Sequence, residues 1–345
     1  MNFQIAMLLG QDGITNGAIY ALLALSILLV FTVTRILLIP QGEFVTYGAL
    51  TMATLQEGHP TALVWLLLGL TIIDCALDLY AAARSSHDFV FPKRIIAKLG
   101  YALLMVVLIM KLPLADLPMA IQALLTLALV VPLGPQIYRL VFQPIASASS
   151  LVLLIVSIAV HVSMVGIALL LFGPEGARTR PFSEAGLELG PVTFNSQTLW
   201  VLAVSLGLIV GLFLFFERTL YGKALRATAV NRMGARLMGI SPTLAGKATF
   251  LVATFIVALS GILIAPITTL YFDSGFIISL KGFVGAIIGG LVSYPIAAIG
   301  AVAVGLIEAF SMFWASNYKE IIVFTLIIPF LLWRSFTSRH VEEDE

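Results

Sequence analysis

Residues 151–172 read LVLLIVSIAVHVSMVGIALLLF, an apolar run without one Asp, Glu, Lys or Arg. At a rise of about 1.5 Å per residue, a helix of this length spans about 33 Å, enough to cross the ~30 Å hydrocarbon core of a bilayer. The same freedom from charge holds over 18–34, 197–216, 248–272 and 282–307. A membrane barrel would alternate apolar and polar residues in strands of roughly ten, and no such alternation is present. Sixty per cent of the 345 residues are hydrophobic and 11% are charged, whereas a soluble domain carries about 25% charge to wet its surface. The reading is an all-α, polytopic transmembrane helix bundle in a single domain, 1–345.

Composition also excludes several functions. A net charge of +1 gives no basic face for nucleic acid. The single cysteine, Cys75, rules out an internal disulfide and a cysteine metal site. No Gly-x-x-x-x-Gly-Lys-Ser/Thr loop is present to cradle ATP, and neither a metal-ligand spacing nor a nucleophile elbow occurs. The expectation is a non-enzyme with no catalytic residue, metal or cofactor, driven by a partner or an ion gradient. The first 16 residues lack a basic n-region and the apolar block runs on to Thr34, so it is expected to stay as a helix rather than leave as a signal peptide.

Expected spans are 14–34, a short segment 36–55, then 61–80, 97–112, 119–134, 151–172, 197–217 and 248–270, a broken stretch 282–310, and 319–333. Basic loops favour the cytoplasm. Between Arg218 and Lys247 lie six cations and no acid, and 81–98 carries Arg84, Lys93, Arg94 and Lys98 against one Asp. By contrast, 173–196 balances Arg178 and Arg180 against Glu175, Glu184 and Glu188. The first two loops are therefore cytoplasmic and the third outside, with the N-terminus outside and Arg334 and Arg339 inside.

That count closes only if 282–310 enters and leaves on one side. Gly289-Gly290-Leu291-Val292-Ser293-Tyr294-Pro295 breaks the run, and two half-helices of about a dozen residues would meet near mid-membrane. A second break, Ile39-Pro40-Gln41-Gly42-Glu43-Phe44, lies near the N-terminus. Paired interruptions of this kind point to a translocation pathway, here Gln41, Gly42, Glu43, Tyr47, Gly289, Gly290, Ser293 and Pro295. The plainer alternative is that Pro40 and Gly42 end a loop between helices.

The loop 218–247 is the most informative segment. Leu225, Ala229, Met233 and Leu237 recur every four residues, on one face of a short helix. Arg232 and Arg236 lie beside them, Gly239 suits a left-handed helix end, and Pro242 blocks continuation. Such a helix packs on its own bundle or enters a partner's groove; periodicity does not choose.

The segment Tyr221–Ser241, YGKALRATAVNRMGARLMGIS, resembles the coupling loop of permease subunits of the branched-chain amino acid ABC importer family, through Arg226-Ala227-Thr228-Ala229 and Met238-Gly239-Ile240. NGAIYALLAL (16–25), QGEF (41–44), IGGLVSYPIAAIGA (288–301) and LIEAF (306–310) are similar to further family segments in the same order, and the likeness covers roughly 14–56 and 119–334. It implies a multi-pass protein of the bacterial inner membrane that carries branched-chain or other small neutral amino acids. Relatives carrying urea, amides or aromatic acids stay open, as does a stand-alone secondary transporter. The implied partners are a second homologous permease subunit, two cytoplasmic ATPase subunits and a periplasmic substrate-binding protein, besides membrane lipid. The resemblance assigns coupling to Arg226, Ala229, Arg232, Arg236, Gly239 and Ile240. The sequence departs from the family in three places. The loop's usual acid is Val230 or Asn231, the usual His before Gly-Glu is Gln41, and 57–118 is unmatched, an inserted helical hairpin.

Ionisable groups inside apolar spans are few, and each costs roughly 2.5–3.5 kcal/mol to insert. Glu43 lines a cavity or pairs with Arg35. Glu308 lies at an interface or serves function. His161 makes a helix–helix hydrogen bond or touches substrate. Asp74 and Asp78, on one helix face, pair with Arg84, Lys93 or Lys98, or relay protons.

Overall fold

Helix α1 (Phe3–Thr34) is buried along most of its length from Gly17 to Thr34, exposed toward its start, and forms the centre of the bundle in the computed structural model. Residues 3–84, 91–183, 186–189, 192–291 and 293–337 are described; Glu184, Val292 and Arg339 lie outside the described residues. The helix starts eleven residues before the expected 14, because nothing in FQIAMLLGQDG breaks it. Lipid tails are as apolar as leucine, so helices in a membrane associate through close packing of small residues. Gly13 and Gly17 lie one turn apart and meet α13 (Tyr294–Ala315): a Cβ on either would fall 2.8 Å from the backbone of Leu306 or Val302.

The remaining elements follow as α2 (Gln41–Gln56), α3 (Leu63–Arg84), α4 (Phe91–Lys111), α5 (Met119–Val130), α6 (Leu133–Ile137), α7 (Ser150–Phe172) and α8 (Ser196–Arg218). Then come α9 (Leu220–Val230), α10 (Arg232–Leu237), α11 (Pro242–Ile264), α12 (Ser274–Ile288), α13, α14 (Lys319–Thr325) and α15 (Ile327–Thr337). Among the described residues, seven helical stretches are long and apolar enough to cross a membrane, and the expected all-α polytopic bundle is what the chain forms. One small antiparallel hairpin, β1 (Gly186–Leu189) with β2 (Val192–Asn195), sits in the loop before α8.

The first break is deep. After Thr34 the chain turns through Arg35, a non-glycine residue at φ 60°, and runs without helix to Pro40 with Ile36 and Leu38 buried. Backbone without helix partners is tolerated at this depth only where protein satisfies it. Ser157 of α7 does so, donating to the Leu37 carbonyl at 2.7 Å and accepting from the Ile39 amide at 3.0 Å. Gln41 then donates to the Leu23 carbonyl at 3.0 Å, setting the start of α2 beside the middle of α1. Helix α2 is thus a short element of about 24 Å, less than the ~30 Å core, with every residue except Thr54 buried.

The second break departs from expectation. Residues 289–293 separate α12 from a 22-residue α13 rather than joining two half-helices. The Tyr294 hydroxyl stands 3.3 Å from Thr32 at the end of α1, so the break lies at the bundle end that carries the basic loop. Gly290 and Leu291 turn the chain there with φ 65° and 56°. The pair still enters and leaves from one end, but at full depth, because α13 is long enough to cross.

The two ends differ as the charge pattern implies. Arg232 donates to the Val33 carbonyl at one end. At the other, the 173–196 loop is tied down by Arg180 N to Gln56 (2.8 Å) and by Arg178 to the Pro266 carbonyl (2.8 Å). Helices α3 and α4 pack on each other, and α3 packs on α5 and α6 at the bundle's edge. Asp74 and Asp78 of α3 bind Lys98 of α4, each at 2.6 Å, one of the three expected partners. Arg139 is an unforeseen fourth member, bound to Asp74 at 2.6 Å and also to Asp78. It sits on a π turn, Tyr138–Phe142, that carries the membrane segment eight residues past its expected end at 134. Glu308 is not interfacial: it is buried in a pair with Lys281 of α12 and accepts from the Tyr20 hydroxyl at 2.7 Å.

Candidate translocation pathway and docking loop

The first turn of α2 brings Gln41, Gly42 and Glu43 to mid-depth. Glycine at 42 is required by approach: a Cβ there would collide with the Gly275 carbonyl of α12 and lie 2.8 Å from Ser279. Glu43 is fully buried, and neither of its carboxylate oxygens has a hydrogen-bond donor among the described residues. Its neighbour is not Arg35, as one reading held, but His161 of α7, whose Nδ1 stands 3.1 Å from Oε1. The imidazole also stacks on Phe276 of α12, ring centres 4.6 Å apart. A glutamate in the first turn of a helix is favoured by the helix dipole, which offsets part of its burial.

His161 opens onto a cavity of about 480 Å³ between α7 and α12, lined besides by Ser279 and by apolar side chains such as Leu38, Ile158 and Phe283. Glu43 stands behind His161 and does not line it. The arrangement is an apolar wall carrying one imidazole backed by a carboxylate, suited to a proton, an ammonium group or a hydrogen-bonding solute. Tyr47 is buried away from this cavity, donating to the Met164 carbonyl at 2.9 Å, and Phe44 is likewise enclosed. Tyr271 is half exposed at the outer end.

Gly289, Gly290, Ser293 and Pro295 do not join this group, since they occupy the far end of α12. The candidate pathway residues therefore fall into two places: Gln41–Gly42–Glu43 at mid-depth, and the 289–295 turn beside the basic loop.

The loop itself is two helices rather than one. Asn231 leaves helical geometry (φ −147°, ψ 101°), and its side chain caps α10 by accepting from Gly234 N at 2.8 Å. The break rotates the apolar face. Leu225 is buried and Ala229 packs with it against Leu29 and Val33 of α1, whereas Met233 and Leu237 are 68% and 81% exposed. The four residues expected on one face thus point two ways. Val230 at the end of α9 and Met238 just past α10, 82% and 83% exposed, complete an apolar tip around α10.

Arg226 binds Glu217 through both terminal nitrogens at 2.9 Å, Arg232 is held by the Val33 carbonyl, and Arg236 is exposed. Gly239 has φ 82°. Ile240 N reaches the Ala235 carbonyl at 3.0 Å and Gly239 N the Arg236 carbonyl at 3.1 Å, the paired bonds of a Schellman ending.

Comparison with known proteins agrees with this architecture. A family model described as the permease component of branched-chain amino acid transport systems matches residues 11–331. The high-affinity branched-chain amino acid transport system permease protein BraD of Pseudomonas aeruginosa is 25% identical over 245 residues, 68% of this chain and 79% of its own length. The corresponding LivH of Escherichia coli K12 is 26% identical over 210 residues, 58% of this chain and 67% of its own. No solved structure gives a significant match.

Proposed function

Because this chain belongs to the branched-chain amino acid permease family, we propose that it is one permease subunit of an ATP-driven importer for branched-chain or other small neutral amino acids in a bacterial inner membrane. The observation that carries the reading is the apolar tip around α10. Val230, Met233, Leu237 and Met238 stand exposed at the basic end of the bundle, beyond a helix whose other face is already committed to α1. An amphipathic helix with an unpaired apolar end fits a groove on a soluble partner, and the ATPase subunit is that partner. Arg226, Arg232 and Arg236 frame the tip, Ala229 seats α9, and Gly239 with Ile240 fixes where α10 ends.

The solute passes the wall formed by α7 and α12. His161, backed by Glu43, makes its polar contact there, while Leu38, Ile158 and Phe283 accept an aliphatic side chain. Gln41 and Gly42 hold α2 against α1 and α12 so that this pair stays at mid-depth, and Tyr47 fixes α2 to α7. The 289–295 turn lies on the exit side. A second permease subunit and an external binding protein complete the pathway, and the chain itself performs no catalysis. The hairpin within 57–118 acts as an accessory element outside the transport core.

The test is reconstitution. The complete complex should show ATP-dependent uptake in liposomes, and Met233→Asp with Met238→Asp should abolish ATPase co-purification while the permease stays inserted with unchanged thermal stability. Gradient-driven uptake by this chain alone, or normal ATPase binding by the double variant, would overturn the assignment.

A further inference from the structure

A groove of about 700 Å³ runs along α1 between α8 and α13, with α9 closing its loop end. Its polarity is graded. Leu25, Ile209 and Leu212 line the deep end, while Thr32, Arg35, Arg226 and Tyr294 gather at the loop end. From Leu25 to Thr32 is seven helical residues, about 10 Å of depth. Arg226 already has Glu217. Arg35 is exposed and has no carboxylate partner among the described residues; its guanidinium lies 5.9 Å from the centre of the Phe31 ring. Its φ of 60° is a strained setting for a side chain with a Cβ.

We propose that this groove binds one anionic phospholipid of the cytoplasmic leaflet, its phosphate at Arg35 and one acyl chain along Leu212 toward Leu25. The gradient from cation to hydrocarbon over one groove is that of a lipid: a basic pocket between helices at the cytoplasmic side takes an acidic head group. A transmembrane helix laid over the same groove would cover Arg35 with apolar surface and leave its charge without a counter-ion, which is strongly unfavourable. The proposal stands apart from the transport assignment, since it needs only the bundle and its orientation.

The experiment is native mass spectrometry of the full chain, exchanged into mixed micelles with equal phosphatidylglycerol and phosphatidylcholine. The wild type should retain one phosphatidylglycerol over phosphatidylcholine by about fivefold, the preference one basic side chain gives at a membrane surface. Arg35→Gly suits the left-handed backbone, and Arg35→Asn is a second uncharged variant that tolerates it; both should lose the preference, and Arg35→Lys should keep most of it. Ala298→Phe, which fills the groove, should lower retention of both lipids. Equal retention of the two lipids by the wild type, or an undiminished preference in the folded Arg35→Gly or Arg35→Asn variant, would overturn the site. So would loss of the bound lipid on adding the second permease chain, which would show a helix to be the occupant.

Discussion

Replacing Arg139 with Gln isolates what ties the α3–α4 hairpin to the rest of the bundle. Two carboxylates, Asp74 and Asp78, are bonded directly to two cations, Lys98 and Arg139, with Lys247 lining the same pocket; the substitution leaves two carboxylates to one bonded cation. The Asp74 side chain is only 6% exposed and that of Asp78 16%, so water replaces the lost partner only in part, through the open pocket of about 410 Å³ that Asp74 lines. Breaking a buried pair costs about 3–5 kcal/mol. Lys98 remains and is 34% exposed, able to neutralise one carboxylate, which places the loss near the lower bound, about 3 kcal/mol. That is a large share of a total stability of about 5–15 kcal/mol. Thermal unfolding of the purified chain in detergent should show it, together with faster proteolysis between α3 and α4. Adding Asp78→Asn to Arg139→Gln restores one carboxylate to one ammonium and should recover at least half of the loss. A change below about 0.5 kcal/mol for Arg139→Gln, or simple additivity of the two substitutions, would mean that the four charges are solvated rather than mutually held.

Three further outcomes are expected. Glu43→Gln removes a buried carboxylate without donors, so thermal stability should hold or rise while uptake by the assembled complex falls at least tenfold; lower stability with normal uptake would make Glu43 a structural group. Gly42→Ala forces α2 and α12 apart at the Gly275 carbonyl and should lose about 1–3 kcal/mol by thermal unfolding, whereas Gly100→Ala, with open space around it, should lose nothing. Gly239→Ala meets no neighbour within 4 Å and bears only the left-handed backbone penalty of about 1–2 kcal/mol. Insertion should be normal and ATPase co-purification reduced, and unaltered co-purification would remove α10 from the docking surface.

What could be read in advance depended on whether the signal was local. The charge-free run 151–172 became α7 within one residue, and Gly239 followed by Pro242 announced a helix end that the φ of 82° bears out. The four-residue period from Leu225 to Leu237 does not describe one face, because Asn231 interrupts the helix between them. That residue prefers to cap, and with Gly234 three positions on it was the available sign of a new helix start. Glu308 pairs with Lys281, which stands just outside the charge-free run 282–307 and on a different helix, so no spacing within that run announces the pair. The meeting of His161 with Glu43, and of Arg139 with Asp78, joins residues distant in sequence, and no period or spacing encodes it. The packing of Gly13 and Gly17 on α13 went unread, and their four-residue spacing was the one local sign of it.

The buried strand-like link between α1 and α2 bears on how the chain is made. Its Leu37 carbonyl accepts from the nearby Ile39 amide and also from a hydroxyl that lies 120 residues further along, a delay of roughly 6–24 s at ribosomal speeds of about 5–20 residues per second. During that interval only the local Ile39–Leu37 turn serves these peptide groups, and the contacts that α7 supplies to the link and to Tyr47 are missing. The packing between α1 and α2 is therefore completed late, around the chain's own earliest residues.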